Sequence, residues 1–226
     1  MTARFDQLGY ALVPAVLSAA ECARLGELVQ PAAAGSVGTR CLLSQPWCAA
    51  LAARLHADPA LAACLDPGAL AVQCTYFEKS ADRNWLVPMH QDLSIPVAAR
   101  VDALALRGWS VKEGSVFVQA PPEVLRELVA VRVHLDPCGA DDGPLVVVPG
   151  SHRAGVIAPA GLPAARAITP AVACTAGVGG ALVMRPLLLH ASSKALGQSR
   201  RRVLHFVFGP RTLPHGLAWN VAAHAG

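Results

Sequence analysis

Eight histidines and fifteen acidic residues in 226 positions supply side chains for a metal centre. Three pairs stand one residue apart: His56/Asp58, His90/Asp92 and His134/Asp136. Chance gives only about 0.5 such His-x-acid pairs in a chain of this composition. The spacing matters in extended backbone, where residues i and i+2 share a face and an imidazole and a carboxylate enter one cavity. A histidine from elsewhere completes the two-histidine, one-carboxylate set. Such a set holds one face of an octahedral ion and leaves the opposite positions open for cosubstrate and dioxygen.

Context separates the pairs. His56/Asp58 ends a predicted helix before Pro59, where Asp58 suits a helix N-cap. His134/Asp136 ends a predicted strand and opens a turn-rich segment, 137–143, in which Asp136 and Asp142 suit backbone capping. His90/Asp92 follows Pro88, which biases its predecessor to extended conformation, and runs on into Leu93-Ser-Ile95. Strand logic leaves these last two pairs at even odds. For the distant ligand, His190 ends the apolar run Leu187–Leu189, precedes Ser192 and Ser193, and has Arg201 eleven residues on, an offset no other histidine shares. A guanidinium is a permanently charged, bidentate partner for the far carboxylate of a metal-chelating diacid. Arg200, Arg201 and Arg202 each offer one, and strand alternation puts Arg201 on the face opposite its two neighbours.

Elements must bring these residues together. Ser18-Ala-Ala-Glu21 is a capping box, with Leu17 placed to staple onto Cys22, and predicts a helix from Ala19 to Gln30. Helices are also expected over 47–56 and 59–65, stopped by Pro67-Gly68. After that the texture changes to β-branched runs cut by Pro and Gly, at 71–77, 87–95, 129–135, 145–148, 181–189 and 203–208. This spacing reads as an antiparallel sandwich or barrel. The expectation is one mostly β domain, with 1–66 as a helical cover and 67–226 as the core.

With 54% apolar and 15% charged residues, intrinsic disorder is excluded and a large core is available. Seven cysteines without a C-x-x-C pair argue against a disulfide scaffold or zinc finger. The first residues lack the apolar run of a signal peptide, and the uncharged stretch 167–184 is broken by Thr169, Pro170, Gly177, Gly179 and Gly180. A cytoplasmic protein without a membrane span is expected. The net charge of +4 is lopsided: eleven basic residues face fifteen acidic ones up to Asp142, and eight basic residues and no acidic ones follow. The default partner of that cationic third is the acidic part of the same chain, ahead of an anionic small molecule or nucleic acid. An aromatic content of 5%, not interleaved with the basic stretch, argues against a nucleic-acid platform.

Across most of its length the sequence resembles the phytanoyl-CoA dioxygenase-like family of iron(II)- and 2-oxoglutarate-dependent oxygenases. The likeness is carried by 5–10 and 17–22, by Asn84-Trp-Leu-Val-Pro-Met-His-Gln-Asp-Leu93, and by Gly108-Trp-Ser-Val-Lys112. It continues in Val131-Arg-Val-His-Leu-Asp136 with Gly143-Pro-Leu145, in Pro149-Gly-Ser-His152, and in His190-Ala-Ser192 with Arg201. The resemblance implies His90, Asp92 and His190 as iron ligands and leaves Asp136 a structural role. It also implies Arg201 and Ser192 as binders of the distal 2-oxoglutarate carboxylate, with Gln91 and Trp109 lining the cosubstrate or substrate pocket. Met89 stands where related sequences often carry Trp.

The implied fold is a double-stranded β-helix, a cupin-like jelly roll with helices outside. The implied reaction uses Fe(II), 2-oxoglutarate and O2 to hydroxylate an unactivated carbon of a small molecule, a natural-product or metabolic intermediate. Asp92 sets the chain apart from halogenating relatives, in which a small residue replaces the carboxylate. Partners beyond the substrate are not expected, neither nucleic acid nor membrane, and the chain would act as a monomer or homodimer. A non-catalytic barrel that binds an anionic metabolite or nucleic acid is the rival reading. Zinc hydrolysis is a third, but it needs a general base, and none stands out after Asp142.

Overall fold

The computed structural model describes residues 2–33, 38–80, 82–197 and 200–220. Its strands are β1 (Tyr10–Val13), β2 (Gly38–Thr39), β3 (Leu70–Lys79), β4 (Val87–His90), β5 (Ser94–Val97), β6 (Ser110–Lys112), β7 (Ser115–Gln119), β8 (Val129–His134), β9 (Leu145–Val147), β10 (Val172–Cys174), β11 (Ala181–Met184), β12 (His190–Ser192) and β13 (Arg201–Gly209). The α-helices are α1 (Thr2–Leu8), α2 (Ala19–Ala33), α3 (Pro46–His56), α4 (Pro122–Glu127) and α5 (Leu162–Ile168). Three antiparallel sheets result, ordered β1-β11-β8-β13-β3-β2, β10-β9-β12-β4 and β5-β7-β6.

The two-residue period of the large sheet determines how the layers stack. On β8, Val129, Val131 and Val133 join Leu204, Phe206 and Phe208 of β13 in one core with Cys22, Leu25 and Val29 of α2 and Leu51 and Leu55 of α3. On the opposite face, Ala130, Leu182 and Met184 pack against Leu145, Val147 and Cys174 of the four-stranded sheet. Helices thus cover the outside while the two sheets close over an interior, the double-sheet arrangement of a jelly roll. The helix face is apolar except near Glu78 and Arg202. The interior face carries the charged and polar residues discussed below.

The capping box forms as its sequence predicts. Ser18 N donates to Glu21 Oε2 at 2.8 Å, and Glu21 N donates to Ser18 Oγ at 3.3 Å. Leu17 and Cys22 are buried in the same core.

Several boundaries differ from expectation. The run 59–65 is a set of consecutive turns rather than a helix, with Asp58 accepting from Leu61 N, Ala62 N and, through its side chain, Ala60 N. The first 66 residues are not wholly helical, because β1 and β2 add strands to the two edges of the large sheet. The stretch 87–95 is two strands in different sheets, and 181–189 ends as a strand at Met184. Strands β6, β7 and β10 and helices α1, α4 and α5 were not anticipated; the strands have three to five residues and the helices six or seven. Such short elements give too few periods for a pattern to register.

Three of the eight basic residues after Asp142 pair with the acidic part of the chain. Arg185 pairs with Asp6, Arg200 with Glu78, and Arg202 with Asp136, at 3.3, 2.9 and 2.7 Å. Among the described residues, no helix is long and apolar enough to cross a membrane.

Candidate active site

The site is assembled where the chain leaves the four-stranded sheet. β4 is an edge strand, where Pro88 costs no ladder hydrogen bond, and it pairs with β12 so that His90 stands directly opposite His190. Their rings lie 4.2 Å apart between centroids. β12 is also paired on its other side, with His190 opposite Val147 of β9. After His90 the chain turns away toward β5, and Asp92 sits in that connection, its backbone N donating to Pro186 O at 2.9 Å. The carboxylate consequently reaches both rings. Asp92 Oδ1 is 3.5 Å from His90 Nε2, and Asp92 Oδ2 is 3.5 Å from His190 Nε2.

Ligand atoms of these three residues all lie within 4.8 Å of one another, and among the described residues they are the group so arranged to hold an ion. The ring orientations suit that purpose. His90 Nδ1 lies 2.8 Å from Pro88 O and His190 Nδ1 lies 2.8 Å from Leu188 O. A carbonyl can only accept, so both Nδ1 atoms carry the hydrogen and both Nε2 lone pairs face the common centre. Burial holds the His190 imidazole down at about 4, so it is neutral and able to ligate at neutral pH. Burial opposes ionisation of Asp92, but the surrounding imidazoles of His190, His90 and His205 outweigh it and keep the carboxyl well below the usual range. Burial opposes a proton on His90, but the neighbouring Asp92 carboxylate raises that imidazole, so an ion bound there displaces a proton. Two imidazoles and a carboxylate are the donor set that suits a divalent transition metal with open positions.

The other His-x-acid pairs do not build such a centre. His134 and Asp136 part company: His134 is buried in the interior with Nδ1 unpartnered, while Asp136 takes three hydrogen bonds from the backbone and guanidinium of Arg202. Arg202 also underlies α2, where a side chain at Gly26 would collide with its guanidinium. His56 Nε2 lies 3.0 Å from Asp66 O, while Asp58 accepts from the backbone N–H groups of Ala60, Leu61 and Ala62.

A cavity of about 410 Å³ opens over the three ligands and is lined by alternate residues of the large sheet. β3 contributes Gln73, Thr75, Phe77 and Lys79, β8 contributes Arg132, and β13 contributes Arg201, His205 and Val207. Arg201 is 4% exposed, and its guanidinium donates to Gly143 O. Ser192 Oγ donates to the same carbonyl at 2.9 Å and accepts from Lys79 Nζ at 2.7 Å. Gly143, at φ +61°, allows this close approach, because a Cβ there would stand 2.5 Å from Ser193 O.

Arg201 Nε is buried without a hydrogen-bond partner. Burial lowers the Lys79 ammonium to about 8, with Arg201 and Arg132 adding repulsion. Among the described residues, none of Lys79, Arg132 and Arg201 has a carboxylate in salt-bridge contact. Three buried cations beside one carboxylate make a site prepared for an anion.

Gln91 reaches the cavity wall, but its amide is occupied. Nε2 donates to Leu187 O at 2.6 Å and Gly155 O at 2.8 Å, and Oε1 accepts from Ile157 N at 2.8 Å. It ties the 155–157 and 187 segments to the His90–Asp92 connection. Trp109 is not brought to the cavity: it packs with the core around Ile95 and Val97, under the guanidinium of Arg100 at 5.3 Å. Gly108, at φ +70°, redirects the chain just before it.

Sequence reasoning missed Lys79, Arg132 and His205. Arg132 and His205 interrupt the apolar runs 129–133 and 203–208, whereas Lys79 ends β3 beside Glu78 and carries no such mark.

The sequence matches the phytanoyl-CoA dioxygenase (PhyH) family over residues 5–203, and the chain belongs to that family. Iron(II) and 2-oxoglutarate are thereby its metal and cosubstrate, and the inward-facing Nε2 atoms, the Asp92 carboxylate and the unpartnered Arg201 Nε fit both groups. Solved structures share the fold at low identity. EctD from S. alaskensis, in its apo form, is 20% identical with a TM-score of 0.65 over 92% of this chain and 75% of its own. HygX from Streptomyces hygroscopicus, with nickel and 2-oxoglutarate bound, is 18% identical with a TM-score of 0.57 over 91% and 84%. The non-heme α-ketoglutarate-dependent carbocyclase SnoK from nogalamycin biosynthesis is 16% identical with a TM-score of 0.59 over 92% and 82%. No curated protein matches the sequence.

Proposed function

We propose that this chain is a cytoplasmic iron(II)- and 2-oxoglutarate-dependent hydroxylase of a small organic molecule, with His90, Asp92 and His190 as the iron ligands. The observation that carries the reading is convergence of those three side chains from two strands and one connection, beside a buried cationic cavity. All seven cysteines are free, which accords with a reducing compartment. Bound iron(II) and 2-oxoglutarate supply dioxygen activation, with 2-oxoglutarate leaving as succinate and carbon dioxide and a substrate C–H bond becoming C–OH.

The chain's own residues do the positioning. The Nδ1–H bonds to Pro88 and Leu188 carbonyls fix the imidazoles before any ligand arrives, which lowers the reorganisation needed at the metal. Arg201, Ser192 and Lys79 form a basic pocket for the carboxylate remote from the metal, and Gly143 O holds Arg201 and Ser192 in register. Gln91 keeps the Asp92 connection in place. Phe77, Trp85 and Phe117 supply the apolar wall against which a substrate carbon skeleton packs.

The test is product analysis. Purified protein with iron(II), 2-oxoglutarate and dioxygen is screened against natural-product and metabolic intermediates, with succinate release and product mass both recorded. Hydroxylation predicts a product heavier by one oxygen atom. Succinate release with a product of unchanged mass, or one lighter by two hydrogens, would replace hydroxylation by epimerisation or by ring closure of the SnoK kind.

A further inference from the structure

Arg132 lies in the middle of β8 between Val131 and Val133, and is 7% exposed. Its guanidinium faces the cavity, 5.4 Å from the ring centroid of Phe77. Nη1 donates to His205 Nδ1 at 3.1 Å, while Nε is buried with no partner. A guanidinium does not shed its charge at neutral pH, so an incompletely bonded one inside a protein is destabilising until an anion completes it.

The register places Arg132 at the level of the metal ligands. It is paired across strands with His205, whose Nε2 lies 4.0 Å from Asp92 Oδ2. Arg201 stands four residues earlier on β13, opposite Lys79, which puts its Cα roughly 13 Å along the strand from that level. The two guanidiniums therefore enter one cavity from different levels of the sheet. Arg201 comes in beside Ser192, and Arg132 beside the His90, Asp92 and His190 cluster.

From this geometry we propose that Arg132 is a second cosubstrate-binding residue. Its guanidinium hydrogen-bonds the 2-oxoglutarate carboxylate nearest the metal ligands, while Arg201 takes the opposite carboxylate. The inference rests on the reading of this cavity as the 2-oxoglutarate site. Arg132 also sets His205: with Nδ1 accepting from the guanidinium, the His205 hydrogen sits on Nε2, the atom turned toward Asp92.

Two 2-oxo acids separate the roles. 2-Oxoglutarate has both carboxylates, whereas 2-oxopentanoate keeps the carboxylate and keto group at the metal and lacks the far one. Binding of each to anaerobic iron(II)-loaded protein is measured calorimetrically for wild type, Arg132→Met and Arg201→Met. Wild type should prefer 2-oxoglutarate. Arg201→Met should erase that preference. Arg132→Met should weaken both acids by about the same factor, roughly tenfold or more, and keep the preference, with iron(II) affinity unchanged.

Unchanged binding of both acids by Arg132→Met would overturn the proposal, and so would a loss confined to 2-oxoglutarate, which would move Arg132 to the far carboxylate. If Arg132→Met does not fold, Arg132→Gln, which keeps a donor and removes the charge, is held to the same equal weakening. If wild type binds iron(II) but neither acid, the cosubstrate reading of the cavity fails first and the role of Arg132 falls with it.

Discussion

The two faces of the central sheet obey opposite rules. On β13, Leu204, Phe206 and Phe208 point to the helices and are buried among aliphatic side chains, and their burial stabilises the fold. One residue out of step, Arg201 and His205 point into the cavity, where burial pushes His205 down to about 3 and leaves Arg201 Nε unpartnered. Three strands show the contrast, β3 with Tyr76 against Lys79, β8 with Val131 against Arg132, and β13 itself, whereas on β11 both faces are apolar, Val183 packing to the helices and Met184 to the facing sheet. The difference teaches that stability and chemistry are separated here by one residue of strand period. The helix face stabilises the fold that holds the cavity face in an unfavourable, ligand-ready state.

The sharpest break in that comparison comes from the cavity face. His90→Ala or His190→Ala should lower iron(II) affinity by more than the 10–100-fold typical of losing an outer-shell partner, while the melting temperature of the apo protein stays close to wild type. Metal titration and a thermal melt on the same sample check both halves. The reverse break is Phe206→Ala on the helix face, expected to cost roughly 3–5 kcal/mol of unfolding free energy in denaturant titration. Iron(II) affinity of the molecules still folded should remain near wild type.

A finer cut uses Arg201→Met. It should weaken 2-oxoglutarate binding roughly tenfold or more, yet leave apo stability equal or higher, because a buried charge without a carboxylate partner is removed. A stability loss comparable to that of Phe206→Ala would erase the distinction between the faces.

The smallest effect is in pH. Burial lowers the Lys79 ammonium to about 8, and a bound carboxylate favours its charged form. Affinity for 2-oxoglutarate should therefore be full below about 8 and fall as pH rises through it, and Lys79→Met should be weaker on the low-pH side and lack that decline. On the acid side, burial holds His134 and His205 at about 3, so the unfolded chain binds more protons below its ordinary histidine range. Stability should fall between about pH 6.5 and 3, and His134→Gln should flatten part of that slope in denaturation curves recorded across the range.

Much of this was legible from residue patterns. The capping box, α3 and the long strands announced themselves because they repeat a period several times over. The family resemblance singled out His90, Asp92 and His190 from competitors that strand logic left level. Arg202 occupies Asp136 with three hydrogen bonds, something no local pattern could reveal because the partners are 66 residues apart.

His90 and Asp92 were expected on one strand. The chain instead leaves the four-stranded sheet after His90, and Asp92 lies in the connection to β5, where Gln91 is tied to the 155–157 and 187 segments and Asp92 N to Pro186 O. Lys79, Arg132 and His205 went unread for a related reason. Each looks like a surface residue until the second sheet is known to cover that face. Trp109 fits the family fragment by order but is carried away from the cavity by the β5-β7-β6 sheet, whose strands are too short to announce themselves.

Everything turns on whether three imidazole and carboxylate donors meet at one ion with room beside it for a chelating 2-oxo acid. Anaerobic titration of the apo protein with iron(II) and then 2-oxoglutarate, followed in the visible range, reads that arrangement directly through the charge-transfer band of the chelate. The account predicts the band in wild type and its loss in His90→Ala and in His190→Ala. No band in the wild-type protein, or an undiminished band in either variant, would contradict it.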